Sequence, residues 1–229
     1  MFTKFALSAV AAVISVSAAQ AATYTFDFTD WRPNNQNSQY YTSNEDAGFG
    51  VTVEGFYYSL SGGNYVQGSA IDVDSNSYGL ISQNGSHETH TIDSWGSDES
   101  MKFTFDGGAS VKLTDIVIGW SEGYGWYDLF GGGSYLGNTR YGAVTPAGEY
   151  NDFAIGTRTF SDYHHRTCGS WYYGYYNCSY TDYKESGIKI KSITVEYDAP
   201  GGVIPLPAGA PLLLGGLGAL AFLRRRKTA

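Results

Sequence analysis

The feature that most constrains the fold of this chain is an alternation of apolar and polar residues at every second position. In residues 24–28, the aromatic residues Tyr24, Phe26 and Phe28 are separated by single polar residues. A period of two places one face of a β-strand in a core and the other in solvent. No helical stripe of period 3.6 competes with it in the body of the chain. The same alternation marks segments 51–58, 101–105, 111–120 and 188–197.

Stretches rich in Gly, Asn and Ser separate these segments, and segment 101–105 ends at the turn Asp106-Gly107-Gly108. Such a series of strands and turns predicts an all-β fold, and we expect a jelly-roll-like β-sandwich over residues 22–199. A domain of this length has room for about eight to ten strands around one core. The apolar positions change parity at Lys191-Ser192, which predicts a β-bulge in the last long strand.

Residues 1–21 have the three parts of a secretory signal peptide. Lys4 gives the positive start, residues 5–16 form an apolar core, and Ala19-Gln20-Ala21 matches the small-x-small cleavage pattern. We therefore expect the protein to be exported.

The C-terminal end has three further parts: a linker with a Pro-rich motif at 200–208, an apolar segment at 209–223 and a basic tail at 224–229. As a helix, the apolar segment would span about 22 Å, which is short of the ~30 Å hydrocarbon core of a bilayer. A short transmembrane segment followed by cations is typical of a stop-transfer signal whose basic end faces the cytoplasm.

This tail resembles the PEP-CTERM sorting signal, in its VPLPA-CTERM variant. The match rests on Ile204-Pro205-Leu206-Pro207-Ala208, on the short apolar helix, and on the basic stop Arg224-Arg225-Arg226-Lys227, with Ile204 in the place of the usual Val. The resemblance implies that this is an exported protein of a Gram-negative bacterium and that an exosortase-type enzyme cuts the chain near Pro207. It also implies an inner-membrane-anchored intermediate, a final place at the cell surface or outside the cell, and a link to extracellular polysaccharide. The alternative is a plain tail anchor that is retained in the inner membrane.

A second resemblance lies in the body of the chain. Segments 72–80, 87–93, 98–105 and 118–120 are similar to exosortase-dependent surface proteins with an "IDN…DE-x-[ML]-x-F-x-F" block and a following "GW" strand, although Ser94 replaces the Asn. This resemblance implies a β-sandwich ectodomain and assigns no chemistry to it.

The charge of the body excludes nucleic acid as the main partner. The two ends contain five of the 14 basic residues and none of the 22 acidic ones. Residues 22–207 therefore carry 9 basic and 22 acidic side chains, a net charge of −13. Such a surface repels phosphate backbones and other polyanions, and it attracts cations.

The chain has two cysteines, Cys168 and Cys178. In an exported protein we expect them to form a disulfide, which would stabilise the fold by roughly 3 kcal/mol in the chain-entropy model. The loop they close is rich in amphipathic rings, which lose little side-chain entropy on contact and stack on sugars. We predict that this loop binds a ligand through Trp171, Tyr172, Tyr173, Tyr175 and Tyr176. Packing of half of these rings in the sandwich is the alternative.

Segment 119–127 contains three further aromatic residues, Trp120, Tyr124 and Trp126, which are candidates for a second binding platform. Exposed aromatic patches usually mark interaction sites.

A calcium site is a further candidate. Asp72, Asp74 and Asn76 stand at alternate positions, as in the first half of an EF-hand loop, whose oxygens converge on one ion. The match ends at Ser77 and Gln83, where the motif has Gly and Glu. On an extended strand the three residues would simply share a solvated face.

Enzymatic activity is not expected. The nearest approach to a zinc motif, His87 to His90, is one residue short of HExxH and lies in a predicted strand. Nucleophile-elbow, phosphate-loop and dinucleotide-binding motifs are missing from the sequence. A polysaccharide-acting hydrolase is the least favoured alternative, because a catalytic carboxylate pair is recognised only by its separation in space.

Together these features predict an exported cell-surface or extracellular-matrix protein with a structural or adhesive role in an exopolysaccharide or biofilm. The alternative is a carbohydrate-binding module that uses the stapled aromatic loop. The expected partners are the exosortase-type enzyme, extracellular polysaccharide, and the membrane before processing.

Overall fold

The computed structural model describes residues 21–83, 91–140 and 148–198. The predicted signal peptide, the sorting motif, the apolar segment, the basic tail, His87 and His90 all lie outside these residues. Among the helical turns that are described, none has the length and apolar character needed to span a bilayer.

Most of the described residues lie in β-strands and hardly any in helices, so the predicted all-β class is confirmed. Every strand pair is antiparallel, and the helical content is one 3₁₀ turn, Asp106–Gly108. The strands are β1 (Ala22–Asp27), β2 (Arg32–Gln36), β3 (Ser38–Thr42), β4 (Gly50–Ser61), β5 (Asn64–Asn76), β6 (Gly79–Gln83), β7 (Ile92–Asp93), β8 (Glu99–Phe105), β9 (Lys112–Gly123), β10 (Tyr127–Gly131), β11 (Ser134–Thr139), β12 (Asp152–Thr157), β13 (Phe160–Ser170), β14 (Gly174–Lys184) and β15 (Ser186–Tyr197).

Thirteen of these strands form one connected sheet with two parts. In the β15 half, β15 pairs with β1, β6, β7 and β9. In the β4 half, β4 pairs with β3 and β8, and β12 and β10 continue the sheet to β11. Strand β5 belongs to both parts, because its first residues pair with β4 and its last residues pair with β6.

The core lies where side chains of the two halves meet. Phe26 and Phe28 come from the β1 region and are fully buried. Their ring centroids lie 5.8 Å from those of Phe105 and Phe103 of β8, respectively. These are the residues that the period-two alternation assigned to the inner face. Burying each such ring stabilises the fold by about 1.5–3 kcal/mol.

A second, smaller core covers the opposite face of the β4 half. Tyr58, Phe130 and Ala154 are buried there, and Tyr65 and Tyr135 pack against them. The Tyr58 ring stacks on Tyr65 with centroids 5.6 Å apart and meets Phe130 edge-on at 5.5 Å. Strand β10 is therefore covered on both of its faces.

The bulge predicted in the last strand is confirmed, because the register of β15 against β9 shifts between Ile190 and Ser192. The number of strands exceeds the predicted eight to ten. Short strands such as β7, of two residues, account for part of the difference. Such a short strand is defined by its pairing with a distant strand, and it has too few residues to show an alternation in the sequence.

Strands β13 and β14 form a separate two-stranded sheet, here called the tyrosine hairpin (residues 160–184). Its two strands pair over eleven positions, from Phe160 opposite Lys184 to Ser170 opposite Gly174. At about 3.4 Å per residue, the hairpin extends roughly 35 Å from its root to its tip. The root contacts the main sheet region through Phe160 and Trp126, whose ring centroids are 5.5 Å apart.

Candidate functional site: the tyrosine hairpin and its root

The disulfide predicted from the sequence is present near the tip of the hairpin. Cys168 lies opposite Tyr176, and Cys178 lies opposite Arg166, so the two cysteines occupy diagonal positions on one face. Their Cα atoms are 5.7 Å apart. Because a two-stranded ribbon is only marginally stable in water, this link holds the end of the hairpin together.

The turn of the hairpin carries three aromatic side chains that extend into solvent. Trp171, Tyr172 and Tyr173 are 85%, 82% and 90% exposed. Their rings contact one another, with centroids about 6 Å apart in each successive pair. The Tyr173 N–H donates to the Ser170 carbonyl at 3.1 Å, and Gly174 takes a positive φ of 79° that closes the turn.

All five aromatic residues predicted to bind a ligand lie on this hairpin, at the turn or just after it. Tyr175 and Tyr176 follow the turn and are also exposed. None of the five rings is buried in the core of the described residues, so packing in the sandwich does not account for them.

The register divides the strands of the hairpin into two faces, since directly opposite residues share a face. The hydroxyl face carries Tyr, Ser, Thr and Asn side chains and one imidazole, His165. It consists of Ser161, Tyr163, His165, Thr167, Tyr175, Asn177, Ser179, Thr181 and Tyr183.

Three tyrosines of the hydroxyl face are well exposed: Tyr163 at 60%, Tyr175 at 68% and Tyr183 at 74%. The Tyr163 ring meets His165 edge-on, with centroids 4.9 Å apart. This face therefore presents apolar ring surface together with hydroxyl groups that both donate and accept hydrogen bonds.

The other face, here called the charged face, pairs its charges internally. Lys184 Nζ donates to Asp162 Oδ2 at 2.6 Å, which lowers the pKa of the exposed Asp162 carboxyl and raises that of Lys184. His164 Nε2 lies 3.5 Å from the Oδ2 atoms of both Asp162 and Asp182. The Tyr180 ring stacks on His164, with centroids 5.1 Å apart, and the Arg166 guanidinium lies 5.0 Å from its centre.

A cavity of about 380 Å³ lies at the root of the hairpin. One part of its wall is aromatic and another is charged. The lining residues are Tyr124, Trp126, Arg140, Phe160, Ser161, Asp162 and Lys184.

Cation–π contacts surround this cavity. Lys184 Nζ lies 4.8 Å from the centre of the Tyr124 ring, and the Arg158 guanidinium lies 4.7 Å from that of Phe160. Of the three residues predicted to form a second platform, Tyr124 and Trp126 line the cavity. Trp120 does not, and Lys189 Nζ lies 5.1 Å from its ring centre instead.

Arg158 also joins the root to a buried carboxylate. Asp128 of β10 is fully buried, and its Oδ2 accepts a hydrogen bond from Tyr58 Oη at 3.0 Å. Arg158 Nε lies 2.8 Å from the same oxygen, but its N–H is not aimed at an acceptor, so the contact is an ion pair rather than a hydrogen bond. Burial raises the pKa of Asp128 to about 6, although Arg158 and the Tyr58 hydroxyl act in the opposite direction.

The pKa of a second carboxyl group, that of Asp98, is shifted in the same direction. Burial also raises the pKa of Asp98. Its Oδ1 accepts a hydrogen bond from the Thr159 N–H at 3.0 Å, beside Arg158.

The three residues predicted to bind calcium lie at the end of β5. Alternation places Asp72, Asp74 and Asn76 on one side of the strand, and the Asn76 side chain accepts a hydrogen bond from the Tyr78 N–H at 2.9 Å. Within residues 21–83, 91–140 and 148–198, no three His, Cys, Asp or Glu side chains are placed to share a metal ion. A calcium site that uses Asn76 remains a prediction.

Sequence reasoning missed Arg140, Phe160, Asp162 and Lys184, which complete the cavity. Phe160 and Lys184 are far apart in sequence and become neighbours only through the hairpin register. The predicted Cys168–Cys178 disulfide was the one sequence feature that pointed to this hairpin, because a disulfide between two strands limits which residues can lie opposite each other.

No family model, curated protein or solved structure matches this chain.

Proposed function

We propose that this protein is an exported β-sandwich of jelly-roll type that acts in an exopolysaccharide or biofilm matrix. In this proposal an exosortase-type enzyme processes it in a Gram-negative cell and releases it from the inner membrane to the surface. Its role is structural or adhesive rather than enzymatic, and the tyrosine hairpin is the part that contacts glycan. The sorting tail, the acidic body and the packing of Phe26 and Phe28 against β8 support this proposal.

The observation that carries the proposal is the exposure of Trp171, Tyr172 and Tyr173 at the end of a stapled hairpin. Leaving large rings in water forgoes about 25 cal/mol for each Å² of apolar surface that burial would remove. Contiguous exposed aromatic surface usually marks an interaction site. The disulfide holds the tip in shape before contact, so less conformational entropy is lost on binding.

The chemistry of the hydroxyl face favours a glycan as the ligand. A sugar presents C–H groups, which pack on aromatic faces, and hydroxyls, which both donate and accept hydrogen bonds. Tyr163, Tyr175 and Tyr183 provide ring surface, and their hydroxyls match the second requirement.

The distribution of charge also favours contact at the hairpin. Residues 160–184 contain two acidic and two basic side chains, whereas residues 22–207 as a whole carry a net charge of −13. The hairpin is thus a neutral element on an acidic body, and repulsion of anionic matrix polymers is weakest there.

A carbohydrate-binding module with a defined ligand is the second candidate function. The root cavity favours it, because about 380 Å³ is within the size range of small-molecule sites. A matrix protein would bind weakly along the whole hairpin, whereas a module would bind one glycan saturably.

Calorimetric titration of the exported protein with a panel of bacterial exopolysaccharides, with and without calcium, tests both functions. We expect Trp171→Ala to weaken binding about 30-fold if Trp171 is a binding hot spot. Trp31→Ala is the matched control, because Trp31 is also exposed, at 75%, and lies outside the hairpin. Equal effects of the two substitutions, or no binding to any glycan, would contradict a glycan-contacting hairpin.

A further inference from the structure

The exposed tyrosines of this protein are concentrated on the tyrosine hairpin. Of the ten exposed tyrosines in the described residues, seven lie in residues 160–184. The two most exposed are Tyr172 and Tyr173 of the turn, at 82% and 90%, whereas the most exposed tyrosine described outside the hairpin is Tyr78, at 53%. A phenol that is open to solvent offers its hydroxyl, and the ring carbons beside it, to reagents from outside.

The exposed tyrosines described in the main sheet region have different surroundings, because each of them contacts a charged side chain. These contacts are Tyr40 with Asp106, Tyr78 with Lys189 and Tyr124 with Lys184. Tyr172 and Tyr173 instead contact the other aromatic rings of the turn, with centroids about 6 Å apart. The turn is therefore the place where phenol rings are most open to a partner.

Sulfur groups, which are common targets of oxidants in proteins, are out of reach. Cys168 and Cys178 are the only cysteines of the chain, and they form the disulfide near the tip. Of the two methionines, Met1 belongs to the predicted signal peptide and Met101 is fully buried. Once the signal peptide is removed, an oxidant outside the protein meets exposed aromatic rings rather than thiols or thioethers.

The length of the hairpin lets the tips of two copies meet. Residues 22–207 carry a net charge of −13, so two bodies repel each other. The tip lies roughly 35 Å from the root, about three times the Debye length of ~10 Å at 0.1 M salt. Repulsion between the bodies is therefore largely screened at the tips, and the hairpin itself carries equal numbers of acidic and basic side chains.

We propose that the turn of the tyrosine hairpin is an oxidative cross-linking site, where Tyr172 or Tyr173 of one copy couples to the same turn of a second copy as dityrosine. The oxidant is hydrogen peroxide, used by a peroxidase outside the cell. Each phenol loses one hydrogen atom from its hydroxyl, and the two phenoxyl radicals form a carbon–carbon bond between the ring positions beside the hydroxyls. The hydrogens at these two positions then move to the oxygens, which restores both hydroxyls. The two hydrogen atoms removed reduce one hydrogen peroxide to two waters.

This inference rests on the proposed function in one respect, that the protein is exported into a matrix where copies lie close together. It goes beyond that function in giving the matrix a covalent link between copies. The coupling consumes neither Trp171 nor the tyrosines of the hydroxyl face, so the hairpin can contact glycan while its tip joins two copies.

The test treats the full exported chain with hydrogen peroxide and a haem peroxidase. We expect covalent dimers and larger species on a reducing, denaturing gel. Mass spectrometry of peptides from a mixture of isotope-labelled and unlabelled protein should show dityrosine that joins the turn of a labelled chain to that of an unlabelled chain. Such mixed pairs distinguish links between copies from links within one copy.

A double variant locates the site. Tyr172→Phe together with Tyr173→Phe should remove most of the covalent dimer, because Phe keeps the ring and has no hydroxyl hydrogen to lose. The matched control is Tyr163→Phe together with Tyr183→Phe, since these tyrosines are also well exposed, at 60% and 74%, but lie near the root. The control should keep most of the dimer. Circular dichroism of both variants identifies a loss that is due to unfolding.

An equal loss of dimer in the two double variants would overturn the assignment of the turn. Dityrosine confined to single copies, or no covalent dimer at all, would overturn the link between copies. Failure of the glycan proposal gives a different result, because Trp171→Ala would then leave polysaccharide binding unchanged. If Trp171→Ala weakens polysaccharide binding while the wild-type protein forms no covalent dimer, the hairpin function stands and the cross-linking inference is wrong.

Discussion

Lowering the pH is expected to stabilise this protein through the buried carboxyl group of Asp128, in contrast to the usual effect of acid. Asp128 is fully buried, and burial raises its pKa from the ordinary 3.8 to about 6. In the unfolded chain the group releases its proton at a lower pH than in the folded protein. Its contribution to the free energy of unfolding is therefore complete below about pH 3.8 and is lost as the pH rises through 6.

The size of this contribution follows from the two pKa values. Each pH unit between them changes the free energy of unfolding by about 1.4 kcal/mol, so the interval from 3.8 to about 6 corresponds to about 3 kcal/mol. Asp128→Asn removes the titration while keeping the shape of the side chain. We expect the wild-type protein to gain about 3 kcal/mol relative to this variant between pH 7 and pH 3.

Urea unfolding at a series of pH values measures this difference, and comparison with the variant cancels the contributions of carboxyls that do not interact with Asp128. Asp115→Asn is the control, because Asp115 is exposed on β9. The reasoning would be refuted by a difference between wild type and Asp128→Asn that stays constant across the pH range. It would also be refuted if the wild-type protein lost stability relative to the variant on acidification.

Four further results are expected. Phe103→Ala should lower the free energy of unfolding by about 3–5 kcal/mol in urea titrations, because it leaves a cavity between the two halves of the sheet, whereas a loss below 1 kcal/mol would contradict a shared core. Replacing Cys168 and Cys178 by Ser should weaken glycan binding and leave the melting temperature of the main sheet nearly unchanged, because β13 and β14 pair only with each other, so the roughly 3 kcal/mol expected of the disulfide acts on the hairpin and not on the whole fold; a large drop in melting temperature would show that the hairpin supports the core. If the predicted calcium site is occupied, EDTA should lower the melting temperature, and an unchanged value would exclude a structural ion. Mass spectrometry of the exported protein should give a chain that ends near Pro207, and a mass that includes the basic tail would contradict exosortase-type sorting.

The cysteine spacing and the strand patterns were informative because each depends on local chemistry. Phe26, Phe28, Phe103 and Phe105 were assigned to the inner face by alternation alone, and all four are buried. The bulge near Lys191 was visible as a change of parity, since an extra residue must reverse the face of every residue after it.

The root cavity was not visible in the same way. Trp126, Arg140, Phe160 and Lys184 come from four separate places in the chain, and only the pairing of β13 with β14 and the contact of Phe160 with Trp126 bring them together. Pairing of this kind depends on interactions between distant segments, whose partners a local pattern does not specify.

Asp128 shows most clearly what the sequence determined and what it left to the tertiary structure. In β10 the period of two puts Asp128 on the face opposite that of the core residues Tyr127 and Leu129, where a strand with one solvated face would expose it. The structure covers that second face with the small core around Tyr58 and Phe130, and Asp128 is buried beside Arg158. A period of two specifies which side chains share a face. Whether that face is then covered depends on what the rest of the chain packs against it.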